Sequence, residues 1–278
     1  MDKIVFDGEY FSAADTLECG QVFRFYPKDG GYVAFSADKA CFLKNEGANA
    51  EISCDDKEYF ENYFDLTRNC ADTVVAAKNL GNSFLNDAAE CGKGIRILRQ
   101  DKEEVLFSFI ISQNNNIPRI KGSIERLCSA LGEVKEFGGE SYHTFPKAAD
   151  IAQKSPDFYK SIGLGYRADY MPAVADAVLN GFDLNAAEKL STADLKKELM
   201  KLRGVGPKVA DCVLLFGFNR CDSFPVDTWM EKIYREDFKG ELTDRNKISE
   251  YFASVCGENA GYFQQYMFHF KRNVGAKK

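Results

Sequence analysis

The chain has little of what clustered-metal chemistry needs. It holds only two histidines, His143 and His269, and they are not a pair at ligand spacing. Its nine cysteines fall at 19, 41, 54, 70, 91, 128, 212, 221 and 256, with no C-x-x-C pair. A zinc site or an iron–sulfur cluster draws its thiolates from closer spacings. The cysteines therefore read as reduced structural thiols of a cytosolic protein, and no metal or cofactor is expected. No apolar run is long enough to span a bilayer. The opening Met1-Asp2-Lys3-Ile4-Val5-Phe6-Asp7 has neither the apolar core of a signal peptide nor the arginine-rich pattern of a transit peptide. The expected location is the cytoplasm, with no membrane partner.

An excess of positive charge is also missing. The formal net charge is −6, and the whole deficit lies in residues 1–100, with 11 basic side chains against 17 acidic. Residues 101–278 balance at 25 and 25. That balance argues against loose coating of nucleic acid but leaves room for a focused phosphate site. Within it, Lys196, Lys197, Lys201, Arg203 and Lys208 meet a single acid, Glu198, in 13 residues.

What is present is a core. The 278 residues are 45% hydrophobic and 13% aromatic, enough for two compact domains. Residues 21–26 and 31–35 read as strands around the turn Lys28-Asp29-Gly30, and 41–44 as a third. Residues 55–66 and 71–80 turn helical. From 103 onward the pattern is helical nearly throughout: 103–113, 117–131, 155–162, 167–180, 192–202, 207–218, 228–237, 246–256 and a last helix from about 259. Strands followed by helices predict an α+β fold. An N-terminal antiparallel β-sheet domain with helices spans 1–98, and a mostly helical domain spans 99–278 with a helical hairpin at 196–218.

That hairpin, Leu202-Arg203-Gly204-Val205-Gly206-Pro207-Lys208-Val209-Ala210-Asp211-Cys212, is the most informative stretch. Gly204 and Gly206 can both take positive φ in a sharp reversal. Pro207 suits a first helical position. Free N–H groups around 204–207 and the helix dipole make an anion site suited to a DNA phosphate. Lys208 sits in the first turn, where the positive helix end disfavours its ammonium and favours a nucleophilic amine. Cys212 is one turn further on the same face, placed to share its proton. Nineteen residues after the lysine, Asp227 follows Pro225 and opens another helix as its N-cap. An ionised carboxylate there can stabilise a cationic sugar carbon. Taken alone, these residues also admit plainer roles: a simple turn, a phosphate-contacting lysine and a bare helix cap.

The segment from Leu202 to Asp227 resembles the helix-hairpin-helix, Gly-Pro-Asp superfamily of DNA base-excision glycosylases, whose bifunctional members carry a lysine at this point. Three further segments are similar to its 8-oxoguanine DNA glycosylases: Ser112-Gln113-Asn114-Asn115-Asn116-Ile117-Pro118-Arg119, Gly163-Leu164-Gly165-Tyr166-Arg167-Ala168-Asp169-Tyr170, and Ala260-Gly261-Tyr262-Phe263-Gln264-Gln265-Tyr266-Met267-Phe268. With Cys19-Gly20-Gln21-Val22-Phe23-Arg24, the likeness covers nearly the whole chain. It implies a bifunctional glycosylase and AP lyase that flips 8-oxoguanine out of duplex DNA, preferably opposite cytosine, and cuts the strand by β-elimination. Lys208 and Asp227 would be catalytic. Asn114 would fill the vacated hole, Tyr166 would wedge beside the orphaned base, and Arg119 and Arg167 would read it. Gly204 and Gly206 would hold phosphate. Trp229 stands two residues after Asp227, where the family has a histidine able to contact phosphate.

For the damaged base, the likeness places the Gly20 carbonyl against N7–H, a donor in 8-oxoguanine where guanine has an acceptor. Phe268 would stack on the purine and Gln264 would read its edge. Pro225, Cys212 and Phe216, the last where the family has methionine, would complete the pocket. An ammonium at Lys208 with a thiolate at Cys212 would oppose the dipole of the oxidised ring. The partner implied is double-stranded DNA containing oxidised guanine, bound by a monomer at the nucleoid. The rival readings are an alkylated-base glycosylase, which lacks the lysine, and a non-catalytic hairpin module, which needs neither Lys208 nor Asp227.

Overall fold

The structure, a computed structural model, describes residues 1–274. Strands β1 (Asp2–Asp7), β2 (Phe25–Lys28), β3 (Gly31–Ser36), β4 (Lys39–Glu46) and β5 (Asn49–Cys54) form one antiparallel sheet in the order β1-β5-β4-β3-β2. Alternate side chains of β4 and β5, among them Cys41, Leu43, Ala50, Ile52 and Cys54, are buried on one face. Helices α1 (Ala13–Glu18) and α2 (Lys57–Tyr63) cover that face through Leu17, Phe60 and Tyr63. The strand expected at 21–26 begins only at Phe25. Gln21 is fully buried, with Nε2 donating to the Thr16 and Arg96 carbonyls at 2.8 and 2.7 Å and Oε1 accepting from Leu98 N at 2.9 Å. Those bonds hold residues 21–24 as a loop instead of a ladder. The sheet gains β1 and β5, short strands whose outward residues are largely polar.

The helical body begins with α3 (Cys70–Asn79) and α4 (Ser83–Gly92), then α5 (Lys102–Ser112) and α6 (Ile117–Leu131). A hairpin of β6 (Val134–Phe137) and β7 (Glu140–His143) interrupts it, turning on Gly138-Gly139 with φ +59° and +82°. This corrects the expectation of near-continuous helix. Tyr142 of the hairpin stacks on Phe35 of β3 at 4.6 Å, so it docks the second half of the chain on the first sheet. There follow α7 (Ala148–Ala152), α8 (Pro156–Ser161), a 3-10 turn at Gly165–Asp169, α9 (Tyr170–Asn180), α10 (Leu184–Ala187), α11 (Thr192–Leu199), α12 (Pro207–Gly217), α13 (Thr228–Glu236), α14 (Arg245–Cys256) and α15 (Ala260–Val274).

Although α3 and α4 precede residue 98, their Val74, Ala77, Leu85 and Ala89 belong to the core of the helical body. There α4 lies so close to α15 that a Cβ on Gly92 would fall 2.7 Å from the Tyr266 ring. The seam between sheet and helices is clasped by a buried ion pair. Arg24 meets Glu104 of α5 at 3.3 Å, both side chains no more than 6% exposed. Glu104 also accepts from Ala37 N at 2.6 Å. Burial still pushes the Glu104 carboxyl up to about 7, against the opposing pull of Arg24.

Candidate active site

The helical hairpin folds as its sequence dictates, with one change. Gly204 has φ +83°, and a Cβ there would lie 2.4 Å from the Tyr170 ring, so only glycine fits. Gly206 does not take positive φ: it is the N-cap of α12 at φ −90°, ψ 177°, an extended conformation open to any residue. A Cβ on Gly206 would meet nothing within 4 Å, which leaves the helix end open to an anion. The basic cluster is largely neutralised, by two acids from outside its own window and by Glu198 within it. Lys196 pairs with Asp211 at 2.7 Å, Lys197 with Asp194 at 2.9 Å and Lys201 with Glu198 at 2.7 Å. Asp211 is 4% exposed and takes further hydrogen bonds from Ser223 Oγ at 3.3 Å and Ser249 Oγ at 3.4 Å. It thereby ties α11 and α12 to the loop that delivers Asp227. Arg203 stays exposed beside the turn.

Lys208 is the second residue of α12, half-buried, with Nζ 5.2 Å from the centre of the Phe109 ring. Phe109 in turn stacks on Phe216 at 5.4 Å and 18°, and Phe23 meets it edge-on at 5.6 Å. Cys212 is 3% exposed, and burial pushes its thiol up to about 11 despite the neighbouring Lys208. At neutral pH it is a thiol. The thiolate half of the expected ammonium–thiolate dipole is therefore corrected to a neutral thiol beside Lys208. Asp227 caps α13, its Oδ1 accepting from Met230 N at 2.9 Å.

Lys208, Cys212, Phe216, Pro225, Asp227, Gln264, Phe268 and Gly20 line one cavity of about 50 Å³. Residues from α12, the α12–α13 loop, α15 and the α1–β2 loop thus converge as the sequence reading requires. Gly20 has φ +90°, and its missing Cβ would sit 3.6 Å from Phe268 Cε1. Phe109, Cys19 and Gln265 share the lining and were not foreseen. Phe109 lies in the run 105–111, apolar but for Ser108, so no pattern marks it. Gln265 could have been suspected from its place beside Gln264, to whose Oε1 it donates at 2.7 Å.

A second group lies at the turn between α5 and α6. Asn114 is exposed with φ +45°, and Asn116 caps α6 by accepting from Arg119 N at 3.0 Å. Arg119 is exposed beside it. Tyr166 is 51% exposed and donates through its hydroxyl to the Gln113 carbonyl at 3.3 Å. Arg167 behaves otherwise than expected. It is 3% exposed, and its guanidinium donates to the carbonyls of Gln113, Asn114 and Leu164. In this state it braces the asparagine turn and presents no free fork to a base. Trp229 is 38% exposed in the first turn of α13.

Residues 3–106 match the family model for the 8-oxoguanine DNA glycosylase N-terminal domain, and residues 107–257 that for HhH-GPD superfamily base excision DNA repair proteins. A curated probable N-glycosylase/DNA lyase of Methanothermobacter thermautotrophicus is 32% identical over 241 residues, 79% of this chain and 76% of that protein. Among solved structures, MBOgg1 in complex with a low-affinity DNA ligand superposes with a TM-score of 0.93 at 34% identity, covering 98% of this chain and 96% of that one. The Clostridium acetobutylicum 8-oxoguanine glycosylase/lyase, in complex with double-stranded DNA holding cytosine opposite 8-oxoguanine, gives 0.91 at 32% identity, over 99% of this chain and 96% of that one.

Proposed function

Since the chain belongs to the 8-oxoguanine DNA glycosylase family of the HhH-GPD superfamily, we propose an assignment of its chemistry to individual residues. The protein is a DNA glycosylase with DNA lyase activity on 8-oxoguanine in duplex DNA. Lys208, as the free amine, attacks C1′ of the extruded nucleotide; the C1′–N9 bond breaks and the base departs with the electron pair. Asp227 stabilises the positive charge that develops at C1′. Ring opening and loss of the amine proton leave a Schiff base. Removal of a C2′ proton then expels the 3′ phosphate by β-elimination. The observation that carries this reading is the shared wall: amine and carboxylate line one cavity together with Gly20, Phe268 and Gln264.

Selectivity for the lesion rests in this reading on the Gly20 carbonyl, which attracts N7–H and repels the bare N7 of guanine. Asn114, Arg119 and Tyr166 supply the exposed groups facing the opposite strand and favour cytosine there. Gly204 and Gly206 receive a phosphate, and Trp229 flanks the same strand. The reaction proposed draws on one copy of the chain and needs no residue from a second, so we infer a monomer, with residues 1–98 contributing Cys19 and Gly20 and 99–278 the rest of the pocket. Among the described residues no helix is long and apolar enough to cross a membrane. A duplex DNA substrate supports a location with the chromosome, which in a cell without a nucleus is the cytoplasm at the nucleoid.

The test is borohydride trapping on duplexes holding 8-oxoguanine opposite cytosine, 8-oxoguanine opposite adenine, uracil, or intact guanine. A covalent adduct on the first, lost in Lys208→Gln while lesion binding survives, is expected. Near-normal turnover by Lys208→Gln would remove the lysine from the mechanism.

A further inference from the structure

The two groups assigned to reading the damaged base come from distant parts of the chain. Gly20 sits just past the end of α1, and Phe268 projects from α15. Something must hold them in register, because a carbonyl discriminates N7–H from N7 only at hydrogen-bond distance. One end of the Gly20 segment is fixed by Gln21, whose bonds to Thr16, Arg96 and Leu98 keep it immobile. The other end is Glu18, the last residue of α1, where carbonyls lack partners within the helix and no basic residue of its own lies in the last turn.

Arg272 supplies that partner from α15. Its Nη2 donates to the Glu18 carbonyl at 2.6 Å, two residues before Gly20. The same guanidinium lies 5.5 Å from the centre of the Phe268 ring, one helical turn back. Three residues before Arg272 on α15, His269 Nε2 stands 3.4 Å from Asp15 Oδ1 of α1. Arg272 thus joins the backbone two residues before Gly20 to the Phe268 ring while lining none of the pocket itself. We propose that Arg272 is a positioning residue for damaged-base selectivity, fixing the Gly20 peptide against the Phe268 ring. This rests on the reading above, in which the Gly20 carbonyl meets N7–H.

A lysine at 272 would keep the charge yet lose the planar fork that stacks and donates at once. A plain phosphate contact, by contrast, would depend on charge alone. The experiment measures dissociation constants for three duplexes, each with cytosine opposite the probe: 2′-fluoro-8-oxoguanosine, 2′-fluoroguanosine and a tetrahydrofuran abasic analogue. The fluorine blocks cleavage, so binding is read by itself. For Arg272→Ala the preference for the lesion over guanine should fall about tenfold, the scale of one lost charge-assisted hydrogen bond. Affinity for the abasic analogue should stay within about twofold. Arg272→Lys should lose nearly as much preference as alanine, with an unchanged melting temperature showing that both variants are folded.

Equal weakening on all three duplexes, restored by lysine, would make Arg272 a phosphate contact and overturn the proposal. An unchanged preference in both variants would do the same. A wild-type protein with no preference for the lesion would instead sink the glycosylase reading, and the proposal with it.

Discussion

Asp227 is given two jobs, and one pair of substitutions separates them. Its Oδ1 accepts the Met230 N–H at 2.9 Å and caps α13, a helix held to the core through Met230, Ile233 and Tyr234. Asparagine caps a helix about as well as aspartate, because its amide oxygen accepts the same bond. Alanine cannot, and costs about 1 kcal/mol. In a chain of this size that is a drop of roughly 2–4 °C in melting temperature for Asp227→Ala and about none for Asp227→Asn. The chemical role depends on charge, which both substitutions remove. A full negative charge about 4 Å from a developing cation, at an effective dielectric of about 20, is worth roughly 4 kcal/mol. Its loss slows base release by about 10³-fold. Single-turnover excision with saturating enzyme on an 8-oxoguanine·cytosine duplex, run beside thermal melts, reads both quantities. Both variants should lose the rate, and only alanine should lose stability. Excision by Asp227→Asn within tenfold of wild type would refute the charge argument. A melting temperature as low as that of alanine would refute the cap argument.

Two further outcomes follow from the geometry. Gly204→Ala forces a left-handed alanine into the Tyr170 ring, 2.4 Å from the new Cβ. It should lower the melting temperature and weaken binding to damaged and intact duplexes alike, about tenfold or more; unchanged binding to intact duplex would remove the turn from the phosphate contact. Glu104 holds its proton up to about 7 in the folded protein, against an ordinary 4.5. Its stabilising contribution is therefore complete below 4.5 and disappears as pH rises through 7, an effect of a few kcal/mol. Denaturant unfolding at pH 5 and pH 8 should show wild type losing stability relative to Glu104→Gln, and a flat difference would mean the carboxyl is ionised throughout.

Local chemistry was legible in the sequence and side-chain direction was not. The helix at 117–131 is bounded as expected, because Asn116 and Pro118 write its start in the chain itself. The α11–turn–α12 hairpin is announced by Gly204 and Pro207 in the same way. The Gly138-Gly139 turn is equally local, yet its strands are only four residues each and fall unassigned between the helices expected at 117–131 and 155–162. The excess of lysines before Lys208 was real in the sequence and largely cancelled in space, since Asp211 reaches Lys196 from the facing helix. Arg167 misled for a similar reason: its neighbours in sequence suggested an exposed fork, but the fold turns it inward onto three carbonyls. The Cys212 thiolate failed because burial outweighs one adjacent ammonium. Nothing in the run 105–111 could have singled out Phe109, whose place under Lys208 is a tertiary fact.

The cavity between Lys208 and Phe268 holds about 50 Å³, room for little more than a water molecule or two. A fused purine does not fit that space as it stands, so accepting a base requires its walls to move, and the work of moving them is taken from the affinity for the base. In the proposed reading the duplex itself needs no such movement, because Asn114, Arg119, Tyr166 and the open end of α12 already stand at the surface. On that reading a base must gain at the Gly20 carbonyl what opening the cavity costs, and an ordinary guanine, whose bare N7 is repelled there, gains nothing to offset it.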